Sequence, residues 1–269
     1  MNSEQEKINA AWSRGAKHYN DIIDDEMNSF RPTAWKKQIL GNAPDSDRLK
    51  VLDCGCGPGF FSLILAEEGH EVCAVDGSEE MVKFARLRAE QEGLSISFSV
   101  ADCHELPFGD NSFDLIVSRN VTHALRDHKA VYSQWLRVLK PGGILQIFDA
   151  NCHLSRPGGR FYEESRERRK KCLEIYGDDF SGRRKSSDDL DKDDESSRSE
   201  ATVWEHVLKD KFRPDWDMGL LEGIGFSDVT CDRDVSEKLW DDKEKLIYGN
   251  TPMFMIRGVK DFASCERKK

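Results

Sequence analysis

The stretch VLDCGCGPG, residues 51–59, decides how the centre of this chain folds. It follows a short apolar run of strand type and leads into FFSLILAEEG, a helical pattern that Gly69 closes. Its three glycines have no Cβ, so the backbone can turn sharply and lie close to a ligand. The stretch therefore predicts a strand, a tight turn and a helix. Taken alone, such a turn could also be a plain connection between the two elements.

Short apolar runs alternate with helical patterns from residue 49 to about residue 150. This alternation predicts an α/β fold of βαβ units, and the fully apolar strands indicate a parallel sheet covered on both faces. A helix over residues 127–139 ends at the PGG segment of residues 141–143. The ordered pattern returns from residue 206, with helices predicted over 214–222 and 236–247 and strands over 228–231 and 252–259.

Three aspartates, Asp53, Asp76 and Asp102, stand at the ends of the first three predicted strands. The carboxyl ends of parallel strands meet at one edge of the sheet, where open α/β folds bind their ligands. The glycine spacing is GxGxG rather than GxGxxG, which disfavours a dinucleotide. These carboxylates would repel a pyrophosphate but not a cationic nucleoside, and S-adenosylmethionine is such a ligand.

The composition argues against several classes of protein. The 269 residues carry a formal net charge of −10, which argues against a nucleic-acid partner, because phosphate binding needs clustered Lys and Arg. No stretch reaches the roughly 18 apolar residues of a membrane span, and the N-terminus lacks an apolar signal segment. The eight cysteines include no CxxC pair, so we expect reduced, mostly buried thiols in a cytoplasmic protein. The sequence leaves the oligomeric state open.

The chain divides into one ordered domain with two additions. Residues 1–48 form a helical lead-in, and residues 49–152 and 206–262 together form the domain. Residues 153–205 interrupt it with a charged helix and then a Ser-rich charged stretch that lacks the apolar residues to order itself. We expect this insertion to be partly mobile and to act as a lid near a binding site, or else to be a spacer without a role.

The motifs VLDCGCGPG, AVDGSEEMVKFAR, ADCHELPF, FDLIVSRNVTHAL and RVLKPGG together resemble the class I S-adenosylmethionine-dependent methyltransferases. Within that family they resemble the group that includes the ubiquinone and menaquinone methylases and many small-molecule methylases. The resemblance is strong over about 49–150, fainter over 206–260 and absent over the insertion. It implies a Rossmann-like, doubly wound sheet of seven strands, mostly parallel with an antiparallel last strand, and helices on both faces.

The resemblance also implies which residues bind the cofactor. The glycine turn would line the methionine and ribose, Asp53 would orient that turn, and Asp76 would accept the ribose hydroxyls. Residues after the second and third strands would surround the adenine, with Asp102 receiving its amino group. The full set carried over is Tyr19, Asp53, Gly55, Gly57, Gly59, Asp76, Gly77, Met81, Asp102, Cys103, Arg119 and Asn120. In it, Arg119 and Asn120 would lie beside the sulfonium, and Tyr19 would close over the cofactor.

Several of these residues have a structural alternative. Asp53 could cap the following helix, Met81 could belong to the core, and Tyr19 could be a packing residue of the lead-in helix.

The acceptor site is less defined. Methyl transfer needs alignment and exclusion of water, and it needs a general base only when the acceptor arrives protonated. Candidates to face the acceptor are His123, Asn151 and His153, although His123 could equally be a hydrogen-bonded histidine at a helix start. We expect no metal, because a magnesium site would need clustered carboxylates after the fourth and fifth strands, and no aspartate follows the fourth strand directly. The sequence thus indicates a methyltransferase for a small molecule, with a non-catalytic S-adenosylmethionine-binding sensor or scaffold as the alternative.

Overall fold

A seven-stranded sheet forms the centre of the computed structural model, which describes residues 3–177, 207–209 and 211–262. The strands lie in the order β3-β2-β1-β4-β5-β7-β6. In chain order they are β1 (Lys50–Cys54), β2 (Glu71–Asp76), β3 (Ser97–Val100), β4 (Phe113–Arg119), β5 (Leu139–Asp149), β6 (Phe226–Asp232) and β7 (Phe254–Lys260).

Strand direction confirms the predicted fold class. Strand β1 pairs in parallel with β2 on one side and β4 on the other, whereas β7 runs antiparallel to both β5 and β6. The chain therefore winds outward from β1 in one direction, crosses back, and continues from β4 in the other. This reversal leaves a crevice at the carboxyl ends of β1 and β4, the position at which such sheets take their ligands.

Helices cover the sheet. The first two, α1 and α2, form the N-terminal region, where α1 packs on α4 and α2 packs on α3 and α8. The helices are α1 (Ser3–Met27), α2 (Arg31–Leu40), α3 (Phe60–Glu67), α4 (Glu79–Gln91), α5 (His128–Val138), α6 (Tyr162–Tyr176), α7 (Asp215–Ile224), α8 (Ser236–Leu239) and α9 (Asp242–Tyr248).

Each face of the sheet has its own apolar core. On one face, the Trp35 ring meets Phe61 and Phe148 edge-on, at centroid distances of 4.8 and 4.9 Å. On the other, Tyr132 stacks on Trp135 at 5.3 Å, and both side chains are fully buried. Aromatic pairs of this kind add stability beyond the area they bury. The two cores explain why the strands read as continuous apolar runs rather than alternating ones.

The predicted helix over 127–139 is one residue too long at each end, and its PGG stop is misplaced. Helix α5 ends at Val138, and β5 begins at Leu139, so residues 141–143 lie inside the strand. The register between β4 and β5 shifts at this point, and Gly142 takes a φ of +79°. The PGG segment therefore forms an irregular beginning of β5 and not a loop before that strand.

The predicted helix over 236–247 is two helices. Trp240 leaves the helical region with a ψ of 146°. The next residue, Asp241, starts α9 by accepting a hydrogen bond from the Glu244 backbone N–H at 2.9 Å, while the Glu244 side chain accepts from the Asp241 N–H. This capping box fixes a new helix start.

The predicted insertion is described only in part. Helix α6 occupies its charged beginning, whereas residues 178–205, to which the expected lid belongs, lie outside the described residues. Among the helices that the structure describes, none has the length and apolar character that crossing a membrane requires.

The turn between β1 and α3 depends on glycine. Gly55, Gly57 and Gly59 adopt φ values of +78°, +52° and +92°, a region that side chains with a Cβ rarely enter. A Cβ on Gly55 would also overlap the side chain of Val121, which follows β4. The absence of a side chain therefore lets the first turn pack directly against the end of the neighbouring strand.

We expect Gly55→Ala to destabilise the fold by about 2–4 kcal/mol, because it combines left-handed strain with the overlap on Val121. Gly93→Ala is the matched control, since Gly93 has a φ of +65° but no atom within 4 Å of an added Cβ. It should cost only about 1–2 kcal/mol of strain. Urea unfolding of both variants measures the difference, and equal losses would show that the Val121 contact has no influence.

Candidate functional site

A cavity opens at the carboxyl edge of the sheet, under helix α1. It holds about 750 Å³ of space free of atoms, part of it open to solvent. All the predicted cofactor residues except Asp53 and Gly59 lie in its wall, namely Tyr19, Gly55, Gly57, Asp76, Gly77, Met81, Asp102, Cys103, Arg119 and Asn120. The structure thus brings together residues from α1, the glycine turn and the ends of three further strands.

Asp76 joins two turns at the bottom of the cavity. Its carboxylate oxygens accept hydrogen bonds from the backbone N–H groups of Gly57 and Ser78, each at 2.8 Å. Each oxygen keeps a second lone pair that a ligand hydroxyl could use. Burial raises the pKa of this carboxyl, and the two N–H bonds oppose that rise.

Asp53 and Gly59 lie behind the cavity. The Asp53 carboxylate is buried and accepts a hydrogen bond from Ser62 Oγ in α3 at 2.6 Å. Burial raises its pKa to about 6. Gly59 is the N-cap position of α3 and packs against Ala85 and Leu63. Both residues therefore support the turn from behind.

Asp102 is already engaged by protein donors. Arg126 Nη2 donates to one of its oxygens at 2.7 Å, and the His104 backbone N–H donates to the other at 2.9 Å. Burial would raise the pKa of Asp102, but His104 and Arg126 outweigh it and lower that pKa. Arg126 also binds Gln5 of α1 at 3.0 Å. Neither contact was predicted. Arg126 is distant in the chain, whereas His104 has the spacing of an Asx-turn after Asp102, which is a signal that could have identified its backbone contact.

Arg119 occupies an aromatic cage with its own counter-ion. Its guanidinium carbon lies 4.6 Å from the Phe60 ring centroid and within 5.4 Å of the Phe61 and Trp35 centroids. Glu26 of α1 accepts from Arg119 Nη2 at 2.9 Å. Burial alone would lower the pKa of Arg119, but the Glu26 carboxylate outweighs it. A paired arginine can lie beside a cationic ligand with less repulsion than an isolated one.

Helix α1 supplies more of the wall than the predicted Tyr19. Gln5, Ile8, Asn9 and Trp12 also line the cavity. Their spacing of three, four and seven residues places them on one helical face, which is the sequence signal that could have identified them. The Tyr19 ring lies against Gly57, where an added Cβ would be 3.4 Å from Tyr19 Cε1.

A second, fully buried polar cluster follows β4 and β5. His123 Nδ1 lies 2.8 Å from the Asp149 carboxylate, which also accepts from the His123 backbone N–H at 2.8 Å. Arg213 Nη1 lies 3.3 Å from the same carboxylate, and Arg213 Nε donates to Asp217 at 2.7 Å. Burial would raise the pKa of Asp149, but His123 and Arg213 outweigh it and hold that pKa well below its usual range. Tyr132 donates a short hydrogen bond to Asp217.

None of the three acceptor candidates, His123, Asn151 and His153, lines the cavity. The Asn151 side chain bonds the Arg213 backbone carbonyl and N–H, at 2.8 and 3.2 Å, and His153 is buried nearby. Within the described residues, His123, Asp149 and Cys152 bring potential metal-ligand atoms within 4.8 Å of one another. Burial raises the pKa of Cys152 to about 12, and Arg213 already neutralises Asp149. The group therefore favours internal pairing over a cation.

Part of this chain is similar to known methyltransferases. Residues 52–147 match the family model described as a methyltransferase domain. Phosphoethanolamine N-methyltransferase 1 of Arabidopsis thaliana is 38% identical over 157 residues, which are 58% of this chain and 32% of the relative. A ubiquinone/menaquinone biosynthesis C-methyltransferase of Shewanella piezotolerans is 35% identical over 139 residues, 48% of this chain and 53% of the relative. The chain thus spans about a third to a half of these relatives.

The fold extends beyond the matched segment. Phosphoethanolamine N-methyltransferase 2 of Haemonchus contortus, solved in complex with S-adenosyl-L-methionine, aligns over 97% of this chain and 60% of its own with a TM-score of 0.64. The two sequences are 19% identical, so this likeness concerns the fold alone.

The buried Asp53 carboxyl should give a measurable pH dependence. Its folded pKa of about 6 lies above the unfolded value, so the stability it contributes is present below about pH 4 and is lost as the pH rises through 6. Between pH 4 and pH 7 the unfolding free energy of Asp53→Asn should rise relative to the unsubstituted protein by up to about 3 kcal/mol. Denaturant unfolding at each pH measures it. The exposed control Asp47→Asn should give a flat difference, and a flat difference for Asp53→Asn would contradict the assignment.

Proposed function

We propose that this chain, whose residues 52–147 match a methyltransferase-domain family model, is a class I S-adenosylmethionine-dependent methyltransferase that transfers the methyl group of S-adenosylmethionine to a small-molecule acceptor. The observation that carries the proposal is the convergence of the glycine turn, Asp76, Asp102 and Arg119 on one cavity. The relatives named as phosphoethanolamine and quinone methyltransferases support the small-molecule class. We also propose a cytoplasmic location, supported by the free thiols of all seven described cysteines.

The cavity wall fits the parts of this cofactor. Because Gly57 has no Cβ, it leaves space beneath Tyr19 for part of the cofactor. The carboxylate oxygens of Asp76 still have lone pairs that can accept hydrogen bonds from the ribose hydroxyls. Asp102, however, holds Arg126 and His104 with both oxygens, so an adenine amino group would have to use its remaining lone pairs. The sulfonium would lie near Asn120, with the charge of Arg119 neutralised by Glu26.

Bound S-adenosylmethionine supplies an electrophilic methyl group on a positively charged sulfur. The residues of this chain have to align an acceptor with that carbon and exclude water. Helix α1 covers the cavity with Trp12 and Tyr19, whose rings meet edge-on at 6.2 Å. We propose that α1 helps to enclose the acceptor.

We propose His123 as the group that accepts a proton from the acceptor. Its buried side chain does not line the cavity, but Val121 and Ala124 on either side of it in the chain do, and Asp149 lies 2.8 Å from its Nδ1. When Nδ1 carries the proton toward Asp149, Nε2 carries the lone pair of the neutral ring. Asp149, ionised beside Arg213, stabilises the histidine after it gains a proton.

Asp76→Ala should weaken S-adenosylmethionine binding at least tenfold, because the ribose loses a charged acceptor. Isothermal titration calorimetry measures the dissociation constant. Asp76→Asn, which keeps one carbonyl acceptor for the turn, separates a loosened loop from a lost contact and should also bind more weakly. The exposed control Asp45→Asn should bind unchanged. Unaltered affinity in both Asp76 variants would overturn the ribose assignment.

His123→Asn should lower the rate of S-adenosylhomocysteine formation at least a hundredfold while leaving cofactor affinity within about twofold, because an amide can still donate to Asp149 but cannot take a proton. His18→Asn, on the exposed face of α1, is the matched control. The assay uses a panel of phenol, amine, thiol and quinol acceptors. Cofactor binding without product from any acceptor would favour a sensor or scaffold over an enzyme.

A further inference from the structure

Two cysteines from separate elements meet beside the cavity. The sulfur of Cys54, the last residue of β1, lies 3.3 Å from the sulfur of Cys103, in the turn after β3. Bonded sulfurs lie about 2.05 Å apart, so closing the gap requires an approach of about 1.3 Å. We propose that Cys54 and Cys103 form a reversible disulfide under peroxide and that this link displaces the turn after β3, which forms part of the cavity wall.

The two thiols are not equally accessible. Cys103 is half-buried and lines the cavity, so a small oxidant that enters the cavity meets it first. Cys54 is fully buried, and burial raises the pKa of its thiol well above the ordinary value. Cys103 therefore reacts first with the oxidant, and Cys54 resolves the product.

The reaction balances with hydrogen peroxide as the oxidant. The Cys103 sulfur attacks one peroxide oxygen, the O–O bond breaks, and Cys103 becomes a sulfenic acid as one water leaves. The Cys54 sulfur then attacks the Cys103 sulfur, the S–O bond breaks, and a second water leaves with the Cys54 proton. The two sulfurs lose two electrons in total, and the peroxide gains them.

The link would move the turn rather than the strand. Cys54 is held by Trp135 Nε1, which donates to its sulfur at 3.2 Å, and by Ser118 Oγ, which donates to its carbonyl at 2.8 Å. Within the described part of the chain, the Cys103 sulfur has no hydrogen-bond partner besides Cys54 Sγ, and its neighbours Asp102 and His104 belong to the cavity wall. Pulling Cys103 toward β1 therefore displaces the part of the wall that we assign to the adenine. The disulfide itself does not depend on the proposed function, whereas its effect on cofactor binding does.

Intact-mass spectrometry of the full chain, reduced and then treated with a slight excess of hydrogen peroxide, should show the loss of two hydrogen atoms. Non-reducing peptide mapping should assign the link to Cys54 and Cys103, and dithiothreitol should reverse it. Cys54→Ala and Cys103→Ser should each abolish the link, whereas the control Cys231→Ser, also half-buried, should keep it. Absence of the link at doses that oxidise Cys231, or a link through the neighbouring Cys56 instead, would overturn the inference.

A second experiment distinguishes a failure of the disulfide proposal from a failure of the proposed function. Saturating S-adenosylhomocysteine should slow formation of the link at least tenfold, and the linked protein should bind S-adenosylmethionine at least tenfold more weakly. A link that forms equally fast with and without S-adenosylhomocysteine would count against the cofactor site in this cavity, while the disulfide pair would stand.

Discussion

The Asp76 carboxylate fixes the relation between the first two βα turns, and the geometry of the cavity depends on it. It accepts hydrogen bonds from Gly57 in the turn after β1 and from Ser78 in the turn after β2, so one side chain connects the two loops. The backbone N–H groups of Gly55 and Cys56 add to this connection by donating to the Val75 carbonyl at the end of β2. Ser78 then caps α4 and also contacts Ser13 of α1 at 2.8 Å. The covering helix is thereby positioned relative to the glycine turn through a short chain of hydrogen bonds.

Buried charges are tolerated around this edge because each has a partner. Arg119 has Glu26 and three aromatic faces, and Arg213 has Asp149 and Asp217. Isolated, any of these charges would cost several kcal/mol to bury. Each pairing also connects an element outside the sheet to the carboxyl edge. Arg119 connects α1 to this edge through Glu26, and Arg213 connects the start of α7 to it through Asp217.

The sequence was most informative where local pattern and tertiary role agree. The strands and their parallel order were predicted from apolar runs that alternate with helical patterns. The position of Asp76 was predicted because it ends one of these runs beside Gly77, and the structure places it in the cavity wall. The partners of Asp102 and Asp149 could not be predicted, because Arg126 and Arg213 lie 24 and 64 residues away in the chain and their pairing arises only from the packing of the helices. The break at Trp240 was missed although Asp241 and Glu244 have the spacing of a capping box, which marks a helix start.

The segment that matches the family model is shorter than the segment that the fold requires. The family match ends at residue 147, two residues before Asp149, whose buried charge is neutralised by Arg213 from beyond the insertion. A chain cut after β5 would leave that carboxylate without its guanidinium and would also lack β7, which pairs along β5 from Ile144 to Asp149. A minimal domain for transplantation or for structural work therefore has to carry the segment after the insertion through β7, because the charge balance of the core is completed there.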